Sequence, residues 1–300
     1  MSNTGWLIND CLTCIPGTKT LWHDLLDCMP NLIDKTNSYT DFSILADSIE
    51  SQLKYNKPDY IIRNASFFRP INTGVYTISF LQDPINSKIQ IDVCNRSDLV
   101  VFNSQYTYEK SIKLLNIKNY KIIPIGIDFE FFRPLNINFK DEFNILDNSI
   151  LFIGANNQYK GFDKLVDVIN KSNLNFCLVM KDSTNITAKN CRTFNRVNHK
   201  TLIKIINSCS RCVCLSNVET LHLSSVEAGA CDIPVITTNV GIHYNKNSDG
   251  WGEILKDNCT TIDIINTLSN SLDKDYNTRC KFLDFGYDKI SCINMWRSLI

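Results

Sequence analysis

The first side chains in this sequence whose types and spacing suggest chemistry are Glu219 and Glu227. They are separated by seven residues in the segment SNVETLHLSSVEAGACDIPVITTNVGI. The pattern predicts a helix over Leu223–Ala230, which begins between the two carboxylates and has Ser224 and Ser225 in its first turn. The first amides of a helix lack intrahelical partners and lie at the positive end of its dipole. The segment therefore predicts a binding site for phosphate oxygens.

The same spacing has a plainer interpretation, in which Glu219 caps the helix and Glu227 is a solvated surface charge. Against it, Glu227 is followed by Ala-Gly-Ala-Cys, small residues that suit close packing of a helix on a sheet. A carboxylate on a packed face is costly to bury without a partner, so we expect Glu227 to bind something.

Lys160 is a second candidate for anion binding, because it follows the apolar run SILFIG and a polar turn. We expect Lys160 and Gly161 to open the helix GFDKLVDVIN, so that the ammonium and the nearby amides converge on one anion. The alternative is an exposed lysine at a helix start, where its charge is unfavourable beside the positive end of the dipole. A bound anion would remove that conflict.

These residues belong to a chain in which apolar runs alternate with segments of helical period. The strand-like runs are PDYIIRN, GVYTISF, DLVVFN and YKIIPIG in the first half, and SILFIG, NFCLVM, RCVCLS and PVITT in the second. The helical segments include DFSILADSIESQLKY, SQYTYEKSIKLLN, GFDKLVDVIN and HKTLIKIINSC. Short strands joined by helices predict crossover connections and parallel sheets, so the predicted fold class is α/β.

Two domains are expected, since 300 residues exceed what one hydrophobic core usually organises. The rhythm of strands and helices breaks at FRPLNINFKDEFNILDN, which places the boundary near residue 132. Ligands of such folds bind beyond the carboxyl ends of the strands. Two facing sheets would therefore place the active site in a cleft between the domains.

Three motifs resemble the retaining glycosyltransferases of family 4, which have the GT-B fold of two facing Rossmann-like domains. Glu219 through Ile236 matches the family signature of a Glu, seven residues, a Glu, small residues and Pro-Val-Ile. The run SDLVVFNSQYTYEKSIKLLNIKNYKIIPIGIDFEFFRP is similar to the family's crossing between domains. ILFIGANNQYKGFDKLVDVI resembles its strand, phosphate loop and Lys-Gly helix start. The resemblance runs from about Ser97 to the end of the sequence.

The resemblance also implies a role for each part of the chain. Residues 1–132 would form the acceptor-side domain, and residues 133–284 would bind the nucleotide-sugar donor. Residues 285–300 include YDKISCINMWRSLI, an amphipathic stretch like the family's last helix, which crosses back to the first domain.

The implied reaction moves a sugar from a nucleotide-diphosphate donor to a glycan or other hydroxyl acceptor, with retention of configuration and without a metal or a cofactor. Glu219 and Lys160 would be the catalytic residues, the first facing the hydroxyls of the transferred sugar and the second neutralising the leaving diphosphate. Glu227 would hold the ribose, because a carboxylate can accept from both hydroxyls. The other implied donor contacts are Gly154, Asn156, Asn157, Thr220, Leu221, His222, Leu223, Ser224 and Val197.

The phosphate loop departs from the family pattern. Many relatives have an arginine directly after the glycine of this loop, where this chain has Ala155 followed by Asn156 and Asn157. A neutral amide binds an anion roughly half as strongly as a guanidinium does. Arg196 and Arg63 are the cations that we consider as replacements.

Two further departures lie in the first half of the chain. The family's acceptor-domain histidine falls near SFLQDP, so Gln82 and Asp83 are candidate contacts for acceptor or donor. Gly17 and Thr18 lie in the loop CIPGTKT, where relatives often have a glycine pair. That loop is either a donor-contacting loop or an ordinary turn before a helix.

Two functions from other classes remain open. A GT-B-like protein could bind a nucleotide or a glycan without catalysis, which would agree with the missing arginine and histidine. A nucleotide-sugar epimerase is the other alternative, because one fold hosts both chemistries. The intact Glu-x7-Glu pattern favours transfer.

The overall composition limits the partners. With 31 Lys and Arg against 31 Asp and Glu, the sequence has no excess of positive charge, so we do not expect it to bind nucleic acid. It shows no signal peptide and no transmembrane run, which predicts a cytoplasmic protein. The pattern does not predict an oligomeric state.

The 13 cysteines fit a reduced protein, because most of them lie in apolar runs. Two sets have spacings that zinc sites use, Cys11 with Cys14, and Cys209 with Cys212 and Cys214. The second set would have to distort a helix end and a strand to reach one ion. No metal site is therefore predicted.

Overall fold

The computed structural model describes residues 3–8, 16–35, 42–65, 68–72, 74–137, 139–183 and 186–300, with only the backbone described at 16–20 and 42–43. It divides the chain into two compact units. One consists of Met1–Gly126 with Lys289–Ile300, and the other is Ile127–Asp288. Both are built on parallel sheets flanked by helices, which confirms the predicted α/β class.

In the described part of the first unit, six strands form one parallel sheet. The strands are β1 (Gly5–Ile8), β2 (Leu32–Asp34), β3 (Tyr60–Asn64), β4 (Tyr76–Leu81), β5 (Leu99–Phe102) and β6 (Tyr120–Ile122). The helices between them are α1 (Pro16–Cys28), α2 (Phe42–Leu53), α3 (Lys88–Asn95) and α4 (Gln105–Ser111). The strand order is β2-β1-β3-β4-β5-β6, so the chain crosses over between parallel neighbours.

The second unit has the same design, again with six strands among its described residues. They are β7 (Ile150–Gly154), β8 (Phe176–Met180), β9 (Cys191–Asn195), β10 (Arg211–Cys214), β11 (Val235–Thr237) and β12 (Gly252–Ile254), in the order β12-β11-β10-β7-β8-β9. Its helices are α5 (Lys140–Phe143), α6 (Phe162–Lys171), α7 (His199–Ile206), α8 (Leu223–Ala230), α9 (Thr261–Ser271) and α10 (Thr278–Asp284). None of the helices in the described ranges is long and apolar enough to cross a bilayer.

The core of the second unit explains why its central strands are continuous apolar runs. Every residue of β8 is buried, and so are Phe152 of β7 and Val213 of β10. Helix α6 places Leu165 and Val168 against these strands, at the spacing that puts side chains on one helical face. A parallel sheet covered on both faces requires strands of this kind.

The last helix, α11 (Lys289–Arg297), packs in the first unit. The ring of Trp296 is fully buried and meets Phe80 of β4 edge to face at 5.6 Å, while Trp22 of α1 meets the same Phe80 at 5.8 Å. An ion pair between Lys289 and Asp24 joins α11 to α1. The core of this unit therefore includes residues from both ends of its sequence.

All eight strand-like runs of the sequence form strands, and the described residues form four further strands that the pattern did not predict. The strand β9 has the sequence CRTFN and lies at the edge of its sheet, where its residues are half-buried or exposed and so carry no apolar run. The strands β1, β2 and β12 have only three or four residues each. Strands this short give too little alternation to separate them from loops.

Candidate active site

The candidate site is built on β7 and β10, which are neighbours in the second sheet. They pair in parallel, with Cys212 opposite Leu151, so their carboxyl ends lie at the same edge. The turn after β7 carries Lys160, and the loop after β10 carries Glu219. Strand pairing therefore brings together residues that are 59 positions apart in the sequence.

Asn217 joins the turn after β7 to the loop after β10. Its backbone N–H donates to the carbonyl of Tyr159 at 2.9 Å, and its side-chain Nδ2 donates to the carbonyl of Gln158 at 2.8 Å. These two bonds fix the loop directly before Glu219 against the turn directly before Lys160. The relative position of the two charged residues is thus set by hydrogen bonds from the backbone and the side chain of Asn217 to two backbone carbonyls.

The turn that carries Lys160 is a 3₁₀ turn, not the first turn of α6. The Oδ1 atom of Asn157 accepts from the Lys160 N–H at 3.0 Å and so caps this turn. Gly161 follows with φ 66°, and a Cβ there would lie 2.1 Å from the carbonyl oxygen of Leu215. Only glycine fits such a position. The helix consequently begins at Phe162, after the predicted start at Lys160 and Gly161.

Lys160 and Glu219, the two residues to which the family resemblance assigns catalysis, form an ion pair through Nζ and Oε2. Their side chains are 31% and 17% exposed. Burial acts to raise the pKa of Glu219, but the His222 ring, the Lys160 ammonium and the Thr220 amide outweigh it, and the pKa lies below its usual value. Glu219 is therefore ionised at neutral pH, and the pair carries two opposite charges.

His222 ends the loop after β10 in a backbone conformation that is rare for a side chain with a Cβ. Its φ is 69° and its ψ is 55°, in the left-handed region. The ring is buried, and its Nδ1 lies 3.4 Å from the hydroxyl of Ser224. Burial lowers the pKa of His222 to about 4, against the opposing effect of Glu219, so the imidazole is neutral at pH 7. Helix α8 then begins at Leu223, the residue that the sequence predicted.

Glu227 lies one turn into α8 and is half-buried. Desolvation raises its pKa to about 7. Its carboxylate has no hydrogen-bond donor or cationic partner among the side chains and amides that the structure describes. Glu219, by contrast, has Lys160 as its partner. Both oxygens of Glu227 are therefore available to hydroxyl donors.

The other predicted donor contacts in the second unit lie at or beyond the carboxyl ends of its strands. Gly154 is the last residue of β7, and Asn156 is exposed in the turn that follows. Thr220 and Leu221 lie in the loop before α8, where Leu221 is buried. Val197 follows β9, two strands away from β7.

Of the two arginines considered as replacements for the missing cation, Arg196 belongs to the second unit and lies at this edge of its sheet. It follows β9, and its Nε donates to the carbonyl of Lys181 at 3.0 Å. Arg63 lies in β3 of the first unit, where its guanidinium donates to the carbonyls of Asn64, Phe68 and Arg69. These hydrogen bonds hold the backbone after β3 in place, which gives Arg63 a structural role.

In the first unit, a polar group lies at the carboxyl ends of three adjacent strands. Gln82, directly after β4, donates through Nε2 to Oδ1 of Asn64 at 3.0 Å, and its carbonyl accepts from Nδ2 of Asn103 at 2.6 Å. Asp83 follows Gln82. The predicted contacts Gly17 and Thr18 fall in the first turn of α1, where side chains lie outside the described residues.

The sequence did not single out Asn64, Asn103, Asn217 or His243. Asn64 and Asn103 each end a strand-like run, and a polar residue at the carboxyl end of a parallel strand is a signal that could have identified them. Asn217 and His243 give no such signal, because their contacts depend on which strands are neighbours.

A cavity of about 550 Å³ in the first unit does not coincide with these residues. It lies at the amino ends of β4 and β5, beside Tyr76, Thr77 and Asp98. Gln82 and Asp83 lie at the other end of β4. Among the residues considered for donor or acceptor binding, Arg63 lines this cavity.

Cys209, Cys212 and Cys214 are buried free thiols in the second unit. The Sγ atoms of Cys212 and Cys214 lie 3.9 Å apart, on one face of β10. A hydrogen bond with Cys177, together with burial, raises the pKa of the Cys209 thiol well above its usual value, and burial does the same for Cys214, so both thiols favour the protonated form. Within the described ranges, no group of three or more His, Cys, Asp or Glu side chains is arranged to hold a metal ion.

Comparison with solved structures identifies the architecture. HepE from Anabaena, solved with UDP and glucose, superposes with a TM-score of 0.73 at 13% identity, over 99% of each chain. Sucrose-phosphate synthase from Thermosynechococcus elongatus gives a TM-score of 0.75 at 12% identity, over 99% of this chain and 98% of that one. The fold is GT-B. The lipopolysaccharide outer core galactosyltransferase WaaB has the same GT-B similarity, with a TM-score of 0.69 at 10% identity over 98% of each chain.

A sequence-family comparison matches the part of this GT-B chain that contains the candidate site. The family model for glycosyl transferases group 1 matches residues 136–282, which include Lys160, Glu219 and Glu227. No curated protein is significantly similar to the chain in sequence. The family match therefore rests on the second unit, where the candidate site lies.

Proposed function

We propose that this GT-B protein is a nucleotide-sugar glycosyltransferase that retains the configuration of the sugar it moves. The observation that carries the proposal is the pairing of Lys160 with Glu219, together with the unpartnered carboxylate of Glu227 on α8, within the segment that matches group 1 glycosyl transferases. A cation, a carboxylate and a second, open carboxylate are the groups that a diphosphate, a sugar and a ribose would need.

The donor is a nucleoside diphosphate sugar. Glu227 would accept hydrogen bonds from the ribose hydroxyls, which would compensate for its desolvation. The diphosphate would lie near Lys160 and the free amides at the start of α8. Because the HepE structures were solved with UDP and with UDP-glucose, these two compounds are the first probes to use.

In the reaction, the bond between the anomeric carbon and the diphosphate oxygen breaks, and its electron pair stays on that oxygen. The acceptor hydroxyl oxygen bonds to the anomeric carbon on the face that the diphosphate leaves, and its proton passes to the departing phosphate. Negative charge grows on the diphosphate in the transition state, so a preorganised ammonium stabilises that state more than the ground state. This is the role that we assign to Lys160.

Glu219 would orient the Lys160 ammonium before the donor binds and the transferred sugar afterwards. In the free protein it holds the Lys160 ammonium at the sheet edge. When donor binds, the diphosphate would compete for that ammonium, and the oxygens of Glu219 would become acceptors for the hydroxyls of the sugar. The ion pair thereby keeps Lys160 in place without a substrate.

We further propose that transfer needs no divalent metal, because Lys160 supplies positive charge where the diphosphate leaves. Turnover in excess EDTA should equal turnover without it. Loss of turnover in EDTA that manganese or magnesium restores would contradict this part of the proposal.

The deciding experiment is a thermal-shift screen of the purified protein against a panel of nucleotide sugars, followed by donor hydrolysis and transfer assays with each donor that binds. A ligand that binds only the folded state raises the melting temperature. Binding together with release of the nucleoside diphosphate supports a transferase. Binding without turnover, with any of a panel of sugar acceptors, would favour the non-catalytic alternative, which the neutral Ala155 in the phosphate loop motivates.

A further inference from the structure

Behind the loop that carries Glu219 lies a buried histidine that the proposed reaction does not use. His243 ends the short turn Gly241–His243 and is 0% exposed. Its ring stacks on Trp251 with centroids 4.9 Å apart and also contacts Phe282 at 5.7 Å. An aromatic side chain without nitrogen could fill this space, so the presence of an imidazole needs a reason.

Among the described residues, the ring makes one hydrogen bond, and that bond supplies the reason. Nε2 of His243 is 2.6 Å from the hydroxyl of Ser225, which is itself fully buried in the first turn of α8. The Ser225 hydroxyl donates to the carbonyl of His222 at 2.7 Å, and the Ser225 amide donates to the same carbonyl at 3.0 Å. Since that hydroxyl has only one proton, it must accept from His243.

This assignment fixes the tautomer of His243, with its proton on Nε2. The Nδ1 atom then carries a bare lone pair, and it has no partner among the described residues. The opposite tautomer would bury an unpaired N–H and remove one donor from the His222 carbonyl, which is more costly. Protonation of Nδ1 would also bury an unpaired N–H. Burial, with the nearby His222 and Lys246, holds the pKa of His243 well below its usual range.

The neighbours of His243 support the same loop. Ile242 donates from its backbone N–H to the carbonyl of Leu221 at 3.1 Å, and its own carbonyl accepts from the hydroxyl of Tyr287 at 2.9 Å. Gly241 has φ 63°, and a Cβ there would lie 3.1 Å from the carbonyl oxygen of Leu221 and 3.3 Å from that of Glu219. The turn Gly241–His243 is thus packed directly against the backbone of the candidate site.

We propose that His243 is a positioning residue for donor binding. By donating to Ser225, it fixes the hydroxyl that holds His222 in its left-handed conformation, and it thereby sets the direction of Glu219 and of the first amides of α8. This inference rests on the proposed function, because the groups it positions are those assigned to the donor.

Three variants separate positioning from general stability. His243→Phe keeps the ring stack on Trp251 but removes the Nε2 donor. His243→Gln restores a side-chain N–H at a similar reach. Phe282→Leu weakens the same aromatic stack without touching the hydrogen bond to Ser225.

Calorimetric titration with UDP and UDP-glucose, well below the melting temperature of each variant, is the first measurement. We expect His243→Phe to weaken UDP-glucose binding by about tenfold, the upper end for one neutral hydrogen bond, and His243→Gln to stay within about threefold of the wild type. Phe282→Leu should lower the melting temperature without weakening binding by more than about twofold. If Phe282→Leu weakens binding as much as His243→Phe, or if His243→Gln rescues nothing, the positioning role is wrong.

Ser225→Ala tests the same bond from its other side and does not depend on how well His243→Phe folds. It should weaken binding as much as His243→Phe, and the double variant should be no weaker than either single variant. Additive losses would show that the two residues act separately and would overturn the proposal.

Amide hydrogen exchange of the protein without ligand decides the anchoring role independently of the function. We expect His243→Phe to speed exchange at residues 222–226 at least about fivefold, which one lost hydrogen bond can account for, while Phe282→Leu does not. Unchanged exchange in His243→Phe would overturn the inference even if donors bind. Absence of binding by the wild type, with faster exchange in His243→Phe, would instead place the failure in the proposed function.

Discussion

The ammonium of Lys160 is paired with the carboxylate of Glu219 across the ends of two adjacent parallel strands, β7 and β10. Lysine and glutamate at such a place can serve as a closed ion pair or as two ligand-binding groups. The half-buried position of both side chains and the open carboxylate of Glu227 on α8 favour the second use. The following predictions test that interpretation.

The first prediction concerns Lys160→Ala. Because the charge on the leaving diphosphate grows in the transition state, we expect kcat at saturating donor to fall by at least about a hundredfold, comparable to the loss of one oxyanion donor. The matched control is Lys164→Ala, which removes a lysine on α6 whose ammonium donates to Asn217. That control should change kcat by less than about threefold, and near-wild-type kcat in Lys160→Ala would exclude the catalytic role.

The second prediction concerns Glu219→Gln, which removes the charge that holds Lys160. The freed ammonium should bind a diphosphate better, so the affinity for UDP should stay equal or rise. Transfer from UDP-glucose should fall by about tenfold or more, because the sugar loses a charged acceptor, and hydrogen bonds to charged groups contribute ~1.5–3 kcal/mol. Titration calorimetry and initial rates measure the two effects, and a parallel loss of both would show that Glu219 only supports the fold.

The third prediction is a pH dependence of nucleotide binding that resides in Glu227. Its pKa is about 7 in the free protein, and ribose hydroxyls donate to the ionised form. Binding should therefore release a proton and be about tenfold tighter at pH 8 than at pH 6. In Glu227→Gln this component should be absent, which also corrects for the titration of the nucleotide itself. Equal pH slopes in both proteins would remove the ribose assignment.

The fourth prediction is that the two glutamates affect stability with opposite sign. The pKa of Glu227 is raised by folding, so its ionised form destabilises the folded state increasingly as the pH rises from about 4.5 to 7. Glu227→Gln should thus raise the melting temperature at pH 8 by about 3 °C or more, and by less at pH 5.

Glu219 is the matched comparison for that measurement. Its pKa is lowered by folding, so its ionised form stabilises the folded state above the unfolded pKa, and this stabilisation is lost as the pH falls through the lower folded value. Glu219→Gln should therefore lower the melting temperature at pH 8. Scanning calorimetry at both pH values would contradict this account if both variants shifted in the same direction.

Much of the architecture could be predicted because it depends on local patterns. The runs SILFIG, NFCLVM and PVITT are apolar over a full strand length, and they form β7, β8 and β11. The bounds of α8 were predicted correctly from its serines and its small residues. These features are set by burial and by helix-start preferences, which operate over a few residues.

The parts of the site that escaped prediction depend on contacts between distant segments. The ion pair of Lys160 with Glu219 requires β7 and β10 to be neighbours, and nothing in either run states the strand order. The late start of α6 follows from the left-handed Gly161, which the carbonyl of Leu215 leaves no room to replace. The raised pKa of Glu227 reflects its surroundings in the folded protein, which a spacing pattern does not contain.

The placement of α11 has a consequence for biosynthesis. A ribosome makes residues 1–126 first, yet their core around Phe80 needs Trp296, which emerges only after the whole second unit. The second unit is continuous in sequence, so its sheet can form while the core of the first unit still lacks α11. The nascent chain therefore exposes the Phe80 and Trp22 surface until α11 arrives, and this surface is where we expect chaperones to bind during synthesis.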